Sequence, residues 1–211
     1  MADLQVFVTA TGTDVGKTVI SALLAHALNA TYWKPVQSGR FPPTDRQKVA
    51  SLLGEERTLA ETYVLDAPLS PDQSAAEMGI RIDPTRFQLP PQPRLVVEGA
   101  GGLLVPLNEH FTMLDLARQL KLPLILVTQT GLGTLNHTLL SSEYLRLRQI
   151  RLAGWILNGP AHPANRRYLE KNIQAPLLGW VPPLNNVCLD QFDAVLQHHF
   201  EPNWEKLIHG T

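Results

Sequence analysis

The chain has 211 residues, of which 44% are hydrophobic and 18% charged, and its formal net charge at pH 7 is −1. This length and balance predict a single domain over residues 1–211 with a substantial core, and the lack of long lysine or arginine runs argues against a nucleic-acid partner. No stretch approaches the roughly 20 apolar residues of a membrane span, so we expect a cytoplasmic protein with small-molecule partners and no membrane partner.

Six short runs of β-branched and other apolar residues alternate with helical patterns along the chain. Runs that are apolar throughout, such as Leu124–Val127, are typical of central strands covered by helices on both faces. The pattern therefore predicts an α/β fold, a mostly parallel, doubly wound sheet flanked by helices as in P-loop NTPases. The predicted strands are Leu4–Val8, Thr31–Val36, Leu95–Glu98, Leu122–Thr128, Leu152–Asn158 and Leu177–Val181. The predicted helices cover 18–28, 45–53, 70–78, 112–121, 134–148, 163–172 and 189–198.

The first predicted strand leads into Thr-Gly-Thr-Asp-Val-Gly-Lys-Thr at residues 11–18, and a helical pattern follows at once. This context is typical of a phosphate-binding loop, in which backbone N–H groups and the positive end of the helix surround a triphosphate. In such a loop Lys17 reaches the terminal phosphates and Thr18 ligates Mg²⁺. The match to the common consensus is partial, because its first glycine is replaced by Thr11. An ordinary turn that opens a surface helix is the alternative, and the strand before the loop argues against it.

Ligands of doubly wound sheets bind outside the carboxyl ends of the strands, so polar residues at those ends are candidate site residues. Lys34 stands at such an end, and because burying a lysine is costly unless an anion meets it, we expect it to bind an anion beside Ser38. Glu98 ends the third strand before a glycine-rich turn at 99–102, and we expect it to hold Mg²⁺ in place of a Walker B aspartate. Asp45 is a weaker metal-ligand candidate, because it is equally suited to be the N-cap of a helix over 46–53.

Two asparagines further along the chain are less specific candidates. Asn136 begins the pair Asn-His after a glycine-bearing loop at 131–134, where helix capping explains it as well as ligand binding does. Asn158 and the loop at 181–183 are candidates for adenine recognition, because a side-chain amide offers both a donor and an acceptor. The alternative for Asn158 is a turn residue before Gly159.

The histidines and the cysteine do not point to a metal site or a nucleophile. Adjacent His198 and His199 point apart on a helix, and the other histidines lack a spacing suited to zinc. Cys188 is the only cysteine, which excludes an intrachain disulfide, and we expect a buried small side chain rather than a nucleophile.

In their order and spacing, these segments resemble dethiobiotin synthetase, and the resemblance spans nearly the whole chain. Its most specific part is Lys-Pro-Val-x-Ser-Gly from position 34, followed by Glu-Gly-Ala-Gly-Gly from position 98. Members of that family usually carry glycine where this chain has Ala10 and another residue where it has Gly12. We expect Gly12 to take over the positive φ of the loop. The segments that carry the resemblance are 9–18, 34–39, 98–102 with Pro106, 133–137, 154–158 and 176–179.

The resemblance implies an ATP- and Mg²⁺-dependent cyclo-ligase of biotin biosynthesis. Such an enzyme carboxylates 7,8-diaminopelargonic acid with CO₂ through a carbamate and a carbamoyl-phosphate mixed anhydride, and it releases dethiobiotin, ADP and phosphate. The resemblance also implies a homodimer, with Asn136 near the substrate carboxylate of the partner subunit. The implied catalytic residues are Lys34, Lys17, Thr13 and Ser38, and the implied metal ligands are Thr18, Asp45 and Glu98. The implied nucleotide-binding residues are Asp14, Val15, Gly16, Lys17, Thr18, Val19, Glu98, Gly101, Asn158 and Pro182, and the implied substrate-binding residues are Thr13, Lys34, Ser38, Gly133 and Asn136.

Three other functions fit parts of the sequence less well. A partition-type switch ATPase shares the fold and a deviant phosphate loop, but its signature lysine would fall at Gly12. A cobyrinate-type amidating synthetase normally needs an amidotransferase domain with a cysteine nucleophile, for which 211 residues leave little room. A non-catalytic nucleotide-binding regulator is disfavoured because Lys17, Lys34 and Glu98 are all present.

Overall fold

The computed structural model describes residues 4–209. The strands are β1 (Leu4–Ala10), β2 (Thr31–Trp33), β3 (Val36–Ser38), β4 (Thr58–Leu59), β5 (Tyr63–Leu65), β6 (Arg94–Glu98), β7 (Pro106–Asn108), β8 (Phe111–Thr112), β9 (Leu124–Gln129), β10 (Leu152–Asn158) and β11 (Leu177–Val181). The helices are α1 (Lys17–Ala27), α2 (Asp45–Leu53), α3 (Pro71–Glu77), α4 (Met113–Leu120), α5 (Thr134–Leu147), α6 (Pro163–Asn172), α7 (Leu189–His199) and α8 (Trp204–His209), with short 3₁₀ helices at Glu55–Arg57 and Pro84–Arg86.

Seven strands form one sheet in the order β11-β10-β9-β1-β6-β2-β4, and every pairing within it is parallel. Parallel sheets of this kind are buried on both faces, which explains the apolar runs in the sequence. On β1, Val6 and Val8 pack into the core cluster that contains α1, whereas Phe7 packs into the cluster on the opposite face with α4. The predicted fold class is therefore confirmed.

Two helix starts follow the local chemistry of the sequence. Thr112 accepts a hydrogen bond from the backbone N–H of Asp115, and the Asp115 carboxylate accepts one from the backbone N–H of Thr112, which is a complete capping box for α4. Pro71 occupies the first position of α3, where its missing N–H costs nothing. Both starts fix helices that contact the core with small or aliphatic side chains.

The predicted strand at Thr31–Val36 is wrong in its extent. The chain leaves the main sheet after Trp33, because Pro35 has no N–H to donate to a ladder, and it then forms β3 in a separate pairing with β5. Strands β4, β5, β7 and β8 are only two or three residues long, too short for periodicity to reveal them. This break turns the chain between β2 and β3 towards the carboxyl edge of the main sheet.

The position of Cys188 also differs from the prediction. Its side chain is half-buried at the residue that precedes α7, rather than fully buried in the core. Of the helices within residues 4–209, none is long and apolar enough to cross a lipid bilayer.

Candidate active site

The strand order places the candidate residues side by side. β6 lies between β1 and β2, and Val8 of β1 is paired with Glu98 of β6. The phosphate-binding loop, Glu98 and Lys34 therefore emerge at the carboxyl ends of three adjacent strands, where α/β sheets bind their ligands. A cleft of about 870 Å³ opens at this edge. Its walls include these predicted site residues: Thr13, Asp14, Gly16, Lys17, Thr18, Lys34, Ser38, Asp45, Glu98 and Gly101.

The loop before α1 is folded around its own lysine. Lys17 Nζ donates a hydrogen bond to the carbonyl oxygen of Gly12 at 2.8 Å, and the residue is buried. Asp14 and Gly16 hold the positive φ angles of the loop, at 56° and 92°. The expectation that Gly12 would carry the positive φ is wrong, because the left-handed turn falls two and four residues later.

Burial lowers the pKa of the Lys17 ammonium to about 8, an effect that Glu98 partly offsets and Lys34 reinforces. A bound polyphosphate would supply negative charge to this ammonium and hold it protonated. The N–H groups at the start of α1 face the same region, since a helix leaves its first N–H groups without partners inside the helix. The loop therefore offers an anion site that combines a lysine with a helix N-terminus.

Lys34 lies at the centre of a buried charge cluster. Its ammonium forms ion pairs with Asp45 and with Glu98 Oε1, the latter at 2.8 Å. Thr18 Oγ1 also donates to Glu98 Oε1, at 3.0 Å. Burial by itself would lower the pKa of Lys34, but the carboxylates of Glu98 and Asp45 outweigh it and raise that pKa.

The sequence left open whether Asp45 is a metal ligand or the N-cap of a helix, and the structure shows that it is not the N-cap. Thr44, and not Asp45, is the N-cap of α2, and its side chain accepts from the backbone N–H of Gln47. Asp45 is the first residue of the helix, and its carboxylate is directed to Lys34 and Lys48. Burial alone would raise the pKa of Asp45, but the two lysines lower it.

Ser38 has an unsatisfied hydroxyl at the wall of the cleft. Its Oγ is buried and has no hydrogen-bond partner within residues 4–209. Burying a hydroxyl without a partner is costly, so a ligand in the cleft is its natural partner. Residues 68–71 line the cleft near Ser38, where proline and leucine side chains give it an apolar side.

Asn158, at the end of β10, contacts the phosphate-binding loop from the other side. Its Nδ2 donates to the carbonyl oxygen of Val15 at 2.8 Å. A Cβ on Gly16 would lie 2.1 Å from that Nδ2, so only glycine fits there while Asn158 keeps this position. Asn158 is therefore packed against the loop and is more than a turn residue before Gly159.

Six predicted residues do not line the cleft, and Asn158, which packs against the phosphate-binding loop, is one of them. Val15 is buried beneath the loop, and Val19 packs at the edge of the core. Pro182 directly follows β11. Gly133 is the N-cap of α5 with a φ of 88°, and Asn136 is exposed on the first turn of that helix.

A buried cluster of three threonines fixes the start of α5. Thr128 on β9 is hydrogen bonded to Thr134 at 3.0 Å and to Thr138, and Thr134 Oγ1 donates to the carbonyl oxygen of Gln129 at 2.5 Å. These hydroxyl contacts satisfy one another inside the core. The N-terminus of α5 is thus held rigidly against the main sheet.

Sequence reasoning missed three polar residues of the site. Tyr32 donates to Glu98, Gln37 Oε1 accepts from the backbone N–H of Asp45, and Lys48 pairs with the Asp45 carboxylate. Burial and the charge of Glu98 raise the pKa of Tyr32, so its hydroxyl stays protonated. The sequence could have indicated Tyr32, because it lies two residues before Lys34. Side chains alternate between the two sides of an extended chain, so those of Tyr32 and Lys34 lie on the same side.

The oxygen donors of the site suit magnesium better than zinc. Within residues 4–209, no group of three or more His, Cys, Asp or Glu side chains is placed to hold a metal ion. Mg²⁺ is usually held by one or two carboxylates together with substrate phosphates and water. The Lys34 ammonium contacts Asp45 and Glu98 Oε1, and Thr18 Oγ1 contacts the same oxygen of Glu98. The region of the three predicted metal ligands therefore already accommodates a positive charge.

The comparisons with solved structures support the fold alone. The chain superposes on the cell division ATPase MinD of Pyrococcus furiosus with a TM-score of 0.55, at 16% identity and 97% coverage of both chains. A ParA family ATPase from Chlorobium tepidum TLS gives a TM-score of 0.53, at 15% identity, with coverage of 98% of this chain and 94% of that one.

The sequence comparisons are far more specific. A family model described as an AAA domain matches residues 4–188. The ATP-dependent dethiobiotin synthetase BioD of Paramagnetospirillum magneticum is 47% identical over 180 residues, which cover 85% of this chain and 88% of the relative. The protein of the same name from Rhodopseudomonas palustris strain BisB5 is 47% identical over 198 residues, or 92% of this chain and 93% of the relative. This chain therefore belongs to the dethiobiotin synthetase family.

Proposed function

We propose that the chain is an ATP-dependent cyclo-ligase that closes the ureido ring of dethiobiotin from 7,8-diaminopelargonic acid and CO₂. The observation that carries this proposal is the meeting of Lys17, Lys34 and Ser38 in one cleft beside the phosphate-binding loop, where the Ser38 hydroxyl has no hydrogen-bond partner among residues 4–209. Each step of the reaction develops negative charge on oxygen, and preorganised donors at such positions are the main source of catalysis in sites of this kind.

The triphosphate of ATP would lie along the loop and the N-terminus of α1, with Asp14 to Val19 around it. The adenine would lie between Asn158 and Pro182. Because Asn158 Nδ2 donates to Val15, its Oδ1 is the atom that would accept from the exocyclic amine of adenine. Gly101 and Glu98 line the same cleft and would lie beside the phosphates.

Mg²⁺ would be held by Thr18, Glu98 and Asp45 together with phosphate oxygens. When bound, the metal would neutralise negative charge on the phosphates. In the structure, the Lys34 ammonium neutralises Asp45 and Glu98. With Asp45 and Glu98 engaged as metal ligands, the N–H donors of Lys34 would be available to the substrate.

The reaction needs no covalent intermediate on the protein. One substrate amine attacks CO₂ to give a carbamate, a carbamate oxygen takes the γ-phosphoryl group and ADP leaves, and the second amine attacks the carbonyl carbon and expels phosphate. Lys34, Thr13 and Ser38 would donate hydrogen bonds to the carbamate oxygens. Lys17 would stabilise the phosphoryl group during its transfer.

We further propose a homodimer that is formed through α5 and α6. Leu140 and Leu147 are exposed on α5, and Tyr168 is exposed on α6, which packs beside it. Asn136 is four residues before Leu140 and therefore shares its face of the helix. Since Asn136 and Gly133 lie outside the cleft of their own chain, they would serve the substrate carboxylate of the partner subunit.

The test is release of phosphate from ATP and Mg²⁺, measured with and without 7,8-diaminopelargonic acid and bicarbonate, with mass detection of the ureido product. Release that needs both substrates, with one product molecule per phosphate, is the expected result. Hydrolysis that does not depend on the diamine would contradict the proposal and favour a switch ATPase, and ATP binding without turnover would favour a regulator. The cytoplasmic location and the single domain over residues 1–211 stay predictions from the sequence.

A further inference from the structure

Tyr32 is a buried tyrosine that contacts the carboxylate of Glu98. In the parallel pairing of β2 with β6, Tyr32 is aligned with Val96. Residues two apart on a strand point to the same face, so Glu98 is the diagonal neighbour of Tyr32 on that face. A tyrosine is long enough to span this diagonal, and its hydroxyl donates to Glu98 Oε2 at 2.9 Å.

The two oxygens of Glu98 have different partners. Oε1 accepts from Lys34 Nζ at 2.8 Å and from Thr18 Oγ1 at 3.0 Å, whereas Oε2 accepts from Tyr32. The terminal torsion of a glutamate is soft, so it does not by itself decide which oxygen faces which neighbour. The hydroxyl of Tyr32 holds Oε2 on the interior side and leaves Oε1 towards the cleft.

Packing alone does not explain this hydroxyl. Tyr32 and Glu98 are both fully buried, and Tyr32 belongs to the apolar cluster around Val8 and Val96. A phenylalanine would fill the same volume without bringing a polar atom into the core, where an unpaired hydroxyl is costly. The Tyr32 hydroxyl and Glu98 Oε2 therefore satisfy each other, with the hydroxyl as donor and the carboxylate oxygen as acceptor.

We propose that Tyr32 is a positioning residue for the metal site, which orients Glu98 so that Oε1 is presented to Mg²⁺ beside Thr18. This inference rests on the proposed function, because it takes Glu98 as a metal ligand. Carboxylates that bind metals are commonly oriented by such outer hydrogen bonds, and loss of one typically weakens metal affinity or activity about 10–100-fold.

The test compares Tyr32→Phe with the unmodified protein, using Mn²⁺ as a probe for the metal. Binding of Mn²⁺ is measured by electron paramagnetic resonance in the presence of a non-hydrolysable ATP analogue, with no diamine and no turnover. We expect Tyr32→Phe to bind Mn²⁺ about 10–100-fold more weakly. In turnover assays, the Mg²⁺ concentration for half-maximal activity should rise while the KM for the diamine stays unchanged.

Tyr63→Phe is the matched control. Tyr63 is also buried, and its hydroxyl accepts from the backbone N–H of Asp83 rather than contacting a carboxylate of the site. A general loss of stability from removing a tyrosine hydroxyl would affect both variants. Affinity for Mn²⁺ should fall only in Tyr32→Phe.

A third variant, Glu98→Gln, separates the inference from the proposed function. If Glu98→Gln binds Mn²⁺ as well as the unmodified protein does, the proposed metal site is wrong and the inference falls with it. If Glu98→Gln binds weakly but Tyr32→Phe stays within twofold of the unmodified protein, only the role of Tyr32 is overturned.

A second measurement avoids the case in which Tyr32→Phe does not fold. The chain has four tyrosines, so ¹³C label at their Cζ atoms gives a simple spectrum, and Tyr→Phe changes at the other three positions assign Tyr32. We expect Mg²⁺ with the ATP analogue to shift the Tyr32 resonance in the unmodified protein and not in Glu98→Gln. A Tyr32 resonance that does not respond to the metal would overturn the inference.

Discussion

Lys34→Ala removes an ammonium that contacts both Asp45 and Glu98. Two effects follow from the geometry, and they are separable. The first is catalytic, because Lys34 is the donor that we place on the carbamate. The second is structural, because the two carboxylates lose their shared counter-ion in a buried position.

The expected loss of transition-state stabilisation and the expected loss in the free energy of unfolding are similar in size. Loss of one well-aimed donor to a developing anion lowers turnover by about 10²–10³, which is about 3–4 kcal/mol of transition-state stabilisation. Removal of one partner from a buried ion pair lowers the free energy of unfolding by about 3–5 kcal/mol. The Asp45 side chain keeps 19% exposure and so retains some hydration, which places the expected loss at the lower end. A domain with about 5–15 kcal/mol of stability remains folded after such a loss.

The assay measures both quantities on the same preparation. Urea unfolding gives the stability of Lys34→Ala, and phosphate release with diamine and bicarbonate gives its turnover per folded molecule. Lys206→Ala removes an exposed lysine from α8 and should leave both quantities unchanged. Turnover by Lys34→Ala above about half that of the unmodified protein would refute the catalytic role of Lys34. If the variant lost stability but kept its turnover, Lys34 would be a structural counter-ion only.

Three further predictions concern the nucleotide and the dimer. Gly16→Ala should reduce ATP affinity more than tenfold in calorimetric titration, because it places a Cβ against Asn158 Nδ2 at a left-handed φ; affinity within twofold of the unmodified protein would show that the loop adapts. Asn158→Ala should lower the preference for ATP over GTP in competition binding, and an unchanged preference would remove Asn158 from base recognition. Leu140→Glu should shift the protein from dimer to monomer in light scattering, because it buries a charge in an apolar interface; a dimer that persists at micromolar concentration would place the interface elsewhere.

The fold was predictable where the sequence pattern is long. The strands β1, β9 and β10 are largely apolar on both faces and six or seven residues long, and the structure places all three as neighbours in the sheet. The pairing of β3 with β5 was not predictable, because three-residue strands carry no measurable period. Pro35 was the one local signal that the predicted second strand had to break.

The candidate site was predictable to the extent that it lies at strand ends. Lys34 and Glu98 were recognisable as site residues from their positions at predicted strand ends. The structure brings the two side chains within hydrogen-bond distance. The pairing of Lys34 with Asp45 was not visible in the sequence, because it depends on how the loop at 39–44 returns α2 to the sheet. The contribution of Tyr32 depends on the register between two strands, which the sequence does not give.

The small β3–β5 sheet has a consequence for which parts of the cleft can be changed separately. Ser38 and the apolar wall at 68–71 are attached to this separate pair of strands, whereas the phosphate-binding loop and Glu98 belong to the main sheet. We therefore expect that residues 68–71 can be exchanged to reshape this side of the cleft while the seven-stranded core stays unchanged. The cleft is thus assembled from two structurally separate parts, one that loop exchange can reshape and one that the core holds in place.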